Sequence, residues 1–531
     1  MDGLPEDHIA RCWWEGRLPA LSSDGDWPQI PTAGNFDAKR NAVGREIHHG
    51  PLLVNRLKAQ YAEAQLAHPI RLRDLSDPQS RTVTTGHQLC LAGGPAFTFY
   101  KIQTAITLAQ RLQERWKTPV VPVFWLASED HDFDEVRSLW NGAQWQTWHP
   151  EPQEGGAVGR MSTRGLAGEL QTWASALELS GSGSDGLKFP EDSTMSQAMR
   201  HWVHTMFGPE QVVVIDGDDA GLKATFIETM QREVRESLTD QAVSSCNSVL
   251  EAAGFKPQVH VRPCNLFHLV PGGRHRLTSS GQMWQSLGGA KWEGAEALCQ
   301  NIAAHPEEFS PNALLRPVYQ AQLLPDVAMV GGLAEVAYGM QLPGVFARLG
   351  MEQPVLVPRD SVVVLSKRWS NATTKAGVTD AALLESKATW IQGVVNQAEA
   401  PNAEDWRLSV QEQAAKASEA LVHVDRSLEG SVNATLAKME NLLDRLEQQT
   451  VKAIKRKEAE AMSRLDRLDG WVRPNGKPQE RICSFFHLAS EWQQQAEEGE
   501  TLDKVLAQAS LRGHEAADWS PLVHVIRSGP H

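Results

Sequence analysis

The spacing of hydrophobic and polar positions changes several times along the chain, and these changes predict an alternation of strands and helices. A β-branched run at 82–85 leads into a loop at 86–95 that contains three glycines. Apolar residues then recur at helical spacing over 96–112, and a mostly apolar run covers 120–127. A strand, a glycine-containing loop, a helix and a second strand predict the βαβ unit of an open parallel sheet.

Further apolar runs extend this sheet. Residues 211–215 and 354–358 are predicted as additional buried strands. Two segments interrupt the alternation and are predicted insertions, a Gly- and Ser-rich one near 141–195 and one near 258–312 that opens with a hairpin pattern. Residues 1–375 are therefore predicted to form an α/β core, in which ligands bind beyond the carboxyl ends of the strands.

The pattern changes to that of a coiled coil in the C-terminal third. Apolar positions recur there at spacings of four and three, at Val432, Leu436, Met439, Leu443, Leu446, Thr450 and Ala453. We predict a helical domain over 376–470 with one long helix over 404–468, broken near Gly430. The seam fits either an intramolecular hairpin with a helix at 379–397 or a dimerisation arm. Residues 471–531 are predicted to fold back onto the body.

Composition and charge narrow the class of protein. The 531-residue chain has a formal net charge of −14, which argues against a general nucleic-acid or anionic-membrane surface. Its six cysteines include no CxxC pair, as is typical of free thiols in a reducing compartment. No apolar run approaches the roughly 20 residues that span a bilayer, and no signal peptide is evident. We expect a soluble cytoplasmic protein.

The loop after the first strand is a candidate anion site. A glycine loop before a helix presents backbone N–H groups and a positive helix end, which favour phosphate or carboxylate. The alternative is a tight structural turn with a solvated histidine. The residues that would contact an anion are Thr85, Gly86, His87, Gln88, Gly93, Gly94, Thr98 and Lys101.

A second polar cluster follows the strand at 120–127. If strand geometry persists, Asp130 and Asp132 project to one side, where they could hold an ammonium, a ribose hydroxyl or Mg²⁺. Glu129 and His131 project to the other side, and His131 could act as an acid or base or hold a phosphate. The alternative is that Ser128 or Asp130 caps a helix.

Other polar positions lie near predicted core elements. Asp216 and Asp218 end the strand at 211–215 and could bind ribose or a metal, and a helix N-cap at Asp218 or Asp219 is an equal alternative. Another set could contact substrate, with an Arg316–Glu335 ion pair as the structural alternative; it comprises Arg316, Tyr319, Glu335 and Tyr338.

One apparent metal motif is rejected. His260, Cys264 and His268 are evenly spaced, but residues four apart on a strand are about 13 Å apart. Ligands of one zinc ion lie roughly 2 Å from it. No zinc is predicted.

The motifs together carry a family resemblance. They are TTGHQ (84–88), GGPAFTFYK (93–101), PVFWLASEDHDFDEV (122–136), VVVIDGDD (212–219), SPNALLRPVYQ (310–320), GGLAEVAYGMQL (331–342) and PNGKPQER (474–481). With these the chain resembles the bacillithiol biosynthesis cysteine-adding enzymes, the BshC family. The family usually has Gln at the position of His87, and this chain departs from it there.

The resemblance implies a Rossmann-like core related to class I nucleotidyltransferases and synthetases, with two connecting-peptide insertions. It also implies a coiled-coil domain that mediates a homodimer. The implied activity is addition of L-cysteine to glucosaminyl-malate, which gives bacillithiol.

Amide formation from a free carboxyl needs activation, so ATP or another nucleotide is expected, with Mg²⁺ considered beside it. The glycine loop and His87 would hold the phosphates, and Lys101 would offset their charge. Asp130 or Asp132 would hold the cysteine ammonium or the sugar amine. His131 or Glu129 would take the amine proton.

The remaining assignments stay open. Ser128 joins the residues expected to contact substrate, and the activated species is either cysteinyl-adenylate or an acyl phosphate. Two alternatives from other classes remain. One is an adenylate-forming ligase with a different amine acceptor, and the other is a non-catalytic nucleotide- or ligand-binding coiled-coil dimer.

Overall fold

The computed structural model describes residues 8–21, 26–43, 50–150, 155–179, 182–397, 403–457, 459–496, 500–516, 519 and 523–528. The chain divides into two compact units. The first, here called the sheet unit, comprises residues 1–366 and 480–531. The second, called the helical unit, comprises residues 367–479.

The strands are β1 Arg81–His87, β2 Val120–Leu126, β3 Ser138–Trp140, β4 Trp145–Thr147, β5 Val213–Asp216, β6 Leu266–Val270, β7 Gly273–Ser280, β8 Met283–Ser286, β9 Lys291–Glu293, β10 Phe309–Pro311, β11 Asp326–Gly331, β12 Val355–Pro358, β13 Ser361–Leu365 and β14 Val523–Arg527. The α-helices are α1 Ile9–Trp14, α2 Ala33–Ala42, α3 Gly50–Glu63, α4 Arg71–Asp74, α5 Phe97–Trp116, α6 Phe133–Val136, α7 Leu166–Ala176, α8 Ser182–Asp185, α9 Met195–Phe207, α10 Ala220–Lys223, α11 Ile227–Glu236, α12 Leu238–Ala252, α13 Gly294–Ala304, α14 Arg316–Leu323, α15 Leu333–Gly339, α16 Pro343–Arg348, α17 Lys367–Ala376, α18 Asp380–Leu383, α19 Lys387–Gln397, α20 Ala403–Val422, α21 Glu429–Lys457, α22 Ala459–Val472, α23 Gln479–Ile482, α24 Phe485–Gln493 and α25 Leu502–Ala516.

A parallel sheet forms the centre of the sheet unit, as the alternating pattern predicts. Its strand order is β12-β11-β1-β2-β5, and every neighbouring pair is parallel. The chain moves outward from β1 through β2 to β5, and then crosses to β11 and β12 on the other side of β1. This order defines a topological switch point between β1 and β11, where doubly wound sheets bind ligands.

The central βαβ unit follows from its local sequence. β2 is buried along its whole length, as expected of a strand covered on both faces. Helix α5 begins at Phe97, two residues after Pro95, whose fixed φ suits a helix start. The predicted apolar stripe between Ile102 and Leu112 is buried, and each large side chain in it contributes about 1.5–3 kcal/mol of transfer free energy.

The sheet contains one strand that the hydrophobic pattern did not identify. β11 occupies a central position between β1 and β12, although residues 326–331 are not among the predicted buried strands. Helices α11 and α12 are separated at Ser237, whose φ of 47° lies in the left-handed region.

An antiparallel sheet follows α12 in the chain, with strand order β10-β6-β7-β8-β9. The predicted hairpin is confirmed, because β6 and β7 pair across the turn at 271–272. His268 lies on β6, whereas His260 and Cys264 precede it, so strand spacing does not describe that trio. Among the residues that the structure describes, no three or more His, Cys, Asp or Glu side chains are arranged to hold a metal ion.

In the helical unit, α20 and α21 form an antiparallel pair. Arg407 on α20 contacts Asp444 and Glu447 on α21, and Gln411 donates to Glu440. The predicted single helix over 404–468 is therefore wrong, because the chain reverses at 423–428 instead of breaking near Gly430. The helix predicted at 379–397 is also not the main partner of the seam on α21, because α21 packs along α20 instead. No helix within the described ranges is long and apolar enough to cross a bilayer.

Candidate functional site

Polar and charged side chains gather at the carboxyl ends of β1 and β11, at the switch point where a doubly wound sheet forms its ligand-binding cleft. Gly86 lies near the end of β1, and a Cβ built there would lie 3.0 Å from the carbonyl oxygen of Trp125 and 3.8 Å from Arg316 Nη1. A side chain at Gly86 would therefore press on β2 and approach the Arg316 guanidinium. Glycine leaves the β1 backbone accessible at the position where a ligand would approach.

Lys101 holds the two sides of this cleft together. Its Nζ donates to the carbonyl oxygen of Gly86 and to Glu335 Oε2, each at 2.6 Å. Glu335 also accepts from the backbone N–H of Gly332 at 2.8 Å, which closes the first turn of α15. Burial lowers the pKa of Lys101, and Glu335 opposes that shift. Lys101 thus already has a carboxylate partner, which its predicted contact with phosphate does not include.

Arg316 is a cation of this cleft for which the described residues provide no carboxylate partner. It donates to Gln320 Oε1 at 3.0 Å and to the Tyr338 hydroxyl at 3.4 Å. No described carboxylate lies within ion-pair distance of it, so the alternative of an Arg316–Glu335 pair is wrong. A half-buried arginine of this kind is suited to binding a phosphate or carboxylate.

His87 is a neutral side chain in this arrangement. Its ring meets the Phe97 ring edge-on at 5.0 Å, and Nε2 lies 3.7 Å from Cys90 Sγ. Burial lowers the pKa of His87 to about 3, and the Lys101 cation adds to the effect. Its predicted contact with a nucleotide would have to be a hydrogen bond and not a charge interaction.

The two later glycines of the loop have a packing explanation. A Cβ on Gly93 would lie 2.1 Å from the Trp202 ring, and one on Gly94 would lie 2.4 Å from Cys90 Cβ. Both glycines have positive φ, at 76° and 67°. Thr98 is fully buried in α5. Phosphate binding by these three residues stays a prediction, and the close packing gives each of them a structural role.

The polar cluster after β2 does not continue as a strand. The chain turns at Ser128 and Glu129, so the predicted same-side projection of Asp130 and Asp132 does not follow from strand geometry. Ser128 is buried and donates to Asp216 Oδ1, which makes it a link between β2 and β5 and not an accessible substrate contact. Asp132 precedes α6 but accepts no capping hydrogen bond.

Asp130 and His131 lie at the accessible edge of this cluster. Asp130 accepts from Gln88 Nε2 at 2.8 Å and from the backbone N–H of His131 at 2.7 Å. Gln88 also donates to Glu135 at 2.9 Å, and it thereby joins the loop after β1 to the turn after β2. His131 is half-exposed, with Nδ1 3.5 Å from Asp130 Oδ1.

Glu129 belongs to a buried charge network. Lys223 Nζ lies 2.7 Å from both Glu129 Oε1 and Asp218 Oδ1. Arg160 contacts Asp218 through two hydrogen bonds, at 2.6 and 2.8 Å. Burial disfavours the Lys223 cation, but the two carboxylates raise its pKa. Burial also raises the pKa of Glu129. Glu129 is committed to this network, which argues against its predicted role as an accessible base.

The remaining predicted residues are largely structural. Asp219 caps α10, since its side chain accepts from the Leu222 N–H, so the capping alternative holds there. Asp216 is half-buried, and its pKa is raised by the burial of its carboxylate and by Asp218. Tyr319 is fully buried and donates to the Gly217 carbonyl oxygen at 3.0 Å. This burial gives Tyr319 a structural role, and its assignment as a substrate contact stays a prediction.

Three basic residues were missed in the sequence. Lys223 and Arg160 hold Asp218, and Arg274 on β7 lies close enough to Glu129, Asp130 and Asp218 for their charges to raise its pKa, although burial lowers it more. Arg160 and Arg274 lie in the predicted insertions, far from the acidic motifs in sequence. Only Lys223, five residues after Asp218, offered a local signal.

These features define the class of protein as a doubly wound α/β protein with an anion-suited cleft at its switch point and a separate helical unit. Two family models match the chain in agreement with that description. The N-terminal Rossmann-like domain of bacillithiol biosynthesis BshC matches residues 28–360, and its C-terminal coiled-coil domain matches residues 362–498. The chain belongs to the BshC family.

Curated relatives are similar over most of their length. A protein of Cytophaga hutchinsonii is 34% identical over 445 residues, which cover 82% of this chain and 83% of the relative. A protein of Flavobacterium johnsoniae is 29% identical over a region that covers 90% of this chain and 91% of the relative. One of Geobacillus thermodenitrificans is 27% identical over 79% and 81%. Each carries the name "Putative cysteine ligase BshC".

Proposed function

We propose that this protein is a ligase that joins the carboxyl group of L-cysteine to the amine of glucosaminyl-malate, in the last step of bacillithiol biosynthesis. The names of its relatives support a cysteine ligase, and the family description supports the pathway. The acceptor and the use of a nucleotide are our inference from the chemistry and from the cleft.

The reaction requires an activated carboxyl group. A carboxylate at neutral pH is a poor acceptor for an amine, so ATP or another nucleotide would convert it to an adenylate or an acyl phosphate. The observation that carries this proposal is Arg316, a half-buried cation beside Gly86 at the switch point, which has no carboxylate partner in the part of the chain that the structure describes. Such a guanidinium matches the oxygens of a transferring phosphoryl group and the charge that develops there.

The second strand end would bind the amine components. Asp130 would accept a hydrogen bond from an ammonium, and the half-exposed His131 beside it would take the proton that the attacking amine must lose. His131 suits this role better than Glu129, which is held by Lys223. Any Mg²⁺ would depend on nucleotide oxygens together with Asp130 or Asp132, because Mg²⁺ commonly uses one or two carboxylates with substrate phosphates.

A metabolite experiment tests the reaction. A deletion strain should lose bacillithiol and accumulate glucosaminyl-malate, and the wild-type chain should restore both levels. Arg316→Met should fail to restore them, whereas Arg348→Met, at an exposed arginine of the same unit, should succeed. Bacillithiol that persists in the deletion strain would refute the proposal, and accumulation of a different amine would indicate another acceptor.

Product analysis with purified protein identifies the activated species. Pyrophosphate and AMP would indicate cysteinyl-adenylate, whereas ADP and phosphate would indicate an acyl phosphate. His131→Ala should slow turnover if His131 takes the amine proton, and unchanged turnover would exclude that role. Full complementation by the Asp130→Ala, Asp132→Ala double variant would instead favour a non-catalytic binding protein.

We also propose a homodimer formed through the helical unit. Its support is a row of exposed apolar side chains on α21, namely Met439, Leu442 and Leu446, which lie three and four residues apart. Leu442→Lys should convert the dimer to a monomer in light scattering if this face is the interface. Because free L-cysteine and ATP are cytoplasmic metabolites, the reaction is proposed to occur in the cytoplasm.

A further inference from the structure

Arg274 is held in place by the antiparallel sheet. Its Nε donates to Ser310 Oγ at 2.9 Å, and its Nη2 donates to the Pro311 carbonyl oxygen at 2.8 Å. The guanidinium carbon lies 4.0 Å from the centroid of the Phe267 ring. Two hydrogen bonds and an aromatic face fix the plane of the group, and Nη1 donates to none of the residues that the structure describes.

The charges that face Arg274 are not equivalent. Glu129 and Asp218 share Lys223, and Asp218 is also paired with Arg160. Asp130 has no lysine or arginine within ion-pair distance in the described part of the chain. It is about one-third exposed, so its carboxylate remains accessible to a ligand. Among these three carboxylates, Asp130 is therefore the acid that lacks a lysine or arginine partner.

Arg274 and Asp130 interact electrostatically but do not form an ion pair. No described carboxylate lies within 4 Å of the Arg274 guanidinium, although the charge of each group affects the other. His131 follows Asp130, and its ring centroid lies 6.3 Å from that of Phe267, the ring on which Arg274 rests. Arg274, Phe267, His131 and Asp130 are thus neighbours, and the cation and the anion among them are separated by more than a direct contact.

We propose that Arg274 and Asp130 form a binding site for a zwitterion, the α-carboxylate and α-ammonium of a free amino acid. Arg274 Nη1 donates to the carboxylate, and Asp130 accepts from the ammonium. A zwitterion satisfies both groups without changing the net charge of the site, whereas a simple anion or cation would satisfy only one. The identification of the amino acid as L-cysteine rests on the proposed function.

This assignment makes the antiparallel sheet part of the amino-acid site and separates the two arginines by role. Arg274 binds the carboxylate of the incoming amino acid, and Arg316 at the switch point remains available for the nucleotide. The geometry also predicts ligand selectivity. The affinity of a ligand that lacks the carboxylate should not change when Arg274 is replaced. The affinity of a ligand that lacks the ammonium should not change when Asp130 is replaced.

The test uses the purified full-length chain and three thiols that differ in their charged groups. L-cysteine has both groups, cysteamine lacks the carboxylate, and 3-mercaptopropionate lacks the ammonium. Binding is measured by ligand-observed NMR titration under reducing conditions without nucleotide, for the wild type, Arg274→Met and Asp130→Asn. Each variant should weaken the binding of L-cysteine by about 10- to 100-fold, the range expected for one charged hydrogen-bonded contact.

The crossed ligands decide the assignment. Arg274→Met should leave the affinity for cysteamine unchanged, and Asp130→Asn should leave the affinity for 3-mercaptopropionate unchanged. Arg262→Met and Asp134→Asn, at exposed positions nearby in sequence, should affect none of the three ligands. Thermal unfolding of every variant identifies any loss of fold.

Unchanged L-cysteine affinity in a folded Arg274→Met variant would overturn the site, and so would absence of L-cysteine binding to the wild type. The outcomes for the proposed function are separate. The crossed pattern would support the zwitterion site even if a deletion strain retained bacillithiol, a result that would overturn the ligase assignment alone.

Discussion

The Lys101–Glu335 ion pair offers a prediction that can be worked out from its unequal burial. The Lys101 side chain is 2% exposed, whereas the Glu335 side chain is 26% exposed. In Glu335→Gln the lysine cation stays buried without a counter-charge. In Lys101→Met the remaining carboxylate can still be hydrated and still accepts from the Gly332 N–H. We therefore expect the glutamate substitution to be the more destabilising of the two.

The expected magnitudes follow from the known cost of breaking buried ion pairs. Removing one partner of a fully buried pair costs about 3–5 kcal/mol. Glu335→Gln should approach the lower end of that range, at about 3 kcal/mol, because Lys101 keeps its bond to the Gly86 carbonyl oxygen. Lys101→Met should cost about 1–2 kcal/mol, because the partner left behind is partly exposed.

The pH dependence provides an independent check. Burial depresses the pKa of Lys101, and loss of Glu335 should depress it further. A folded state that holds fewer protons than the unfolded state gains stability as pH rises toward the usual lysine pKa. The cost of Glu335→Gln should therefore shrink between about pH 7 and pH 9.5.

Urea unfolding of the wild type, both single variants and the double variant measures these free energies and their coupling. The double variant removes both charges, so its loss of stability should be smaller than the sum of the single losses. Strict additivity, or a larger effect of Lys101→Met than of Glu335→Gln, would refute the reasoning.

Three further predictions concern separate features. His87→Gln should restore bacillithiol in a deletion strain to within about twofold of wild type, because a histidine with a pKa of about 3 is already neutral at pH 7; failure would show that the imidazole itself is needed. Burial raises the pKa of Asp326 to about 7, so the folded state retains a proton that the unfolded state loses above its usual pKa. Stability should fall by up to about 4 kcal/mol as pH rises from 4 to 7, and urea unfolding of Asp326→Asn should lack that slope. Gly93→Ala should lower stability by about 3 kcal/mol or more in the same assay, because its Cβ would overlap the Trp202 ring; Gly165→Ala, also at positive φ but in open space, should cost only about 1 kcal/mol.

The sequence predicted the features that depend on local periodicity. The buried runs of β1, β2 and β12 and the stripe of α5 follow directly from hydrophobic spacing, and so does the position of polar groups at the strand ends. β11 escaped detection because its six residues begin with Asp326 and end with Gly331, a weak pattern beside the longer runs. Its central position is fixed by tertiary pairing with β1 and β12.

The helical unit also contains a feature that local periodicity does not predict, the turn between α20 and α21. The seam correctly predicted α21, but the reversal at 423–428 contains neither glycine nor proline, so no breaker marks it. Gly430, the residue that suggested a break, lies inside α21, where an isolated glycine is tolerated. Once the chain reverses, α20 becomes the nearest apolar partner, a result that depends on three-dimensional proximity and not on spacing within one helix.

The candidate site could be located from sequence, but the division of roles within it could not, because that division depends on which charges are already paired. A ligand that recruited Lys101, Glu129 or Lys223 would first have to break a buried ion pair, and breaking such a pair costs about 3–5 kcal/mol. Arg316 and Asp130 carry no such cost, since neither has an oppositely charged lysine, arginine or carboxylate partner among the described residues. A ligand can therefore bind Arg316 and Asp130 without breaking an ion pair that stabilises the fold. The glycine loop, in contrast, is closed by packing and presents a neutral histidine, so we expect ligand affinity to respond more to substitution of the unpaired charges than to substitution within the loop.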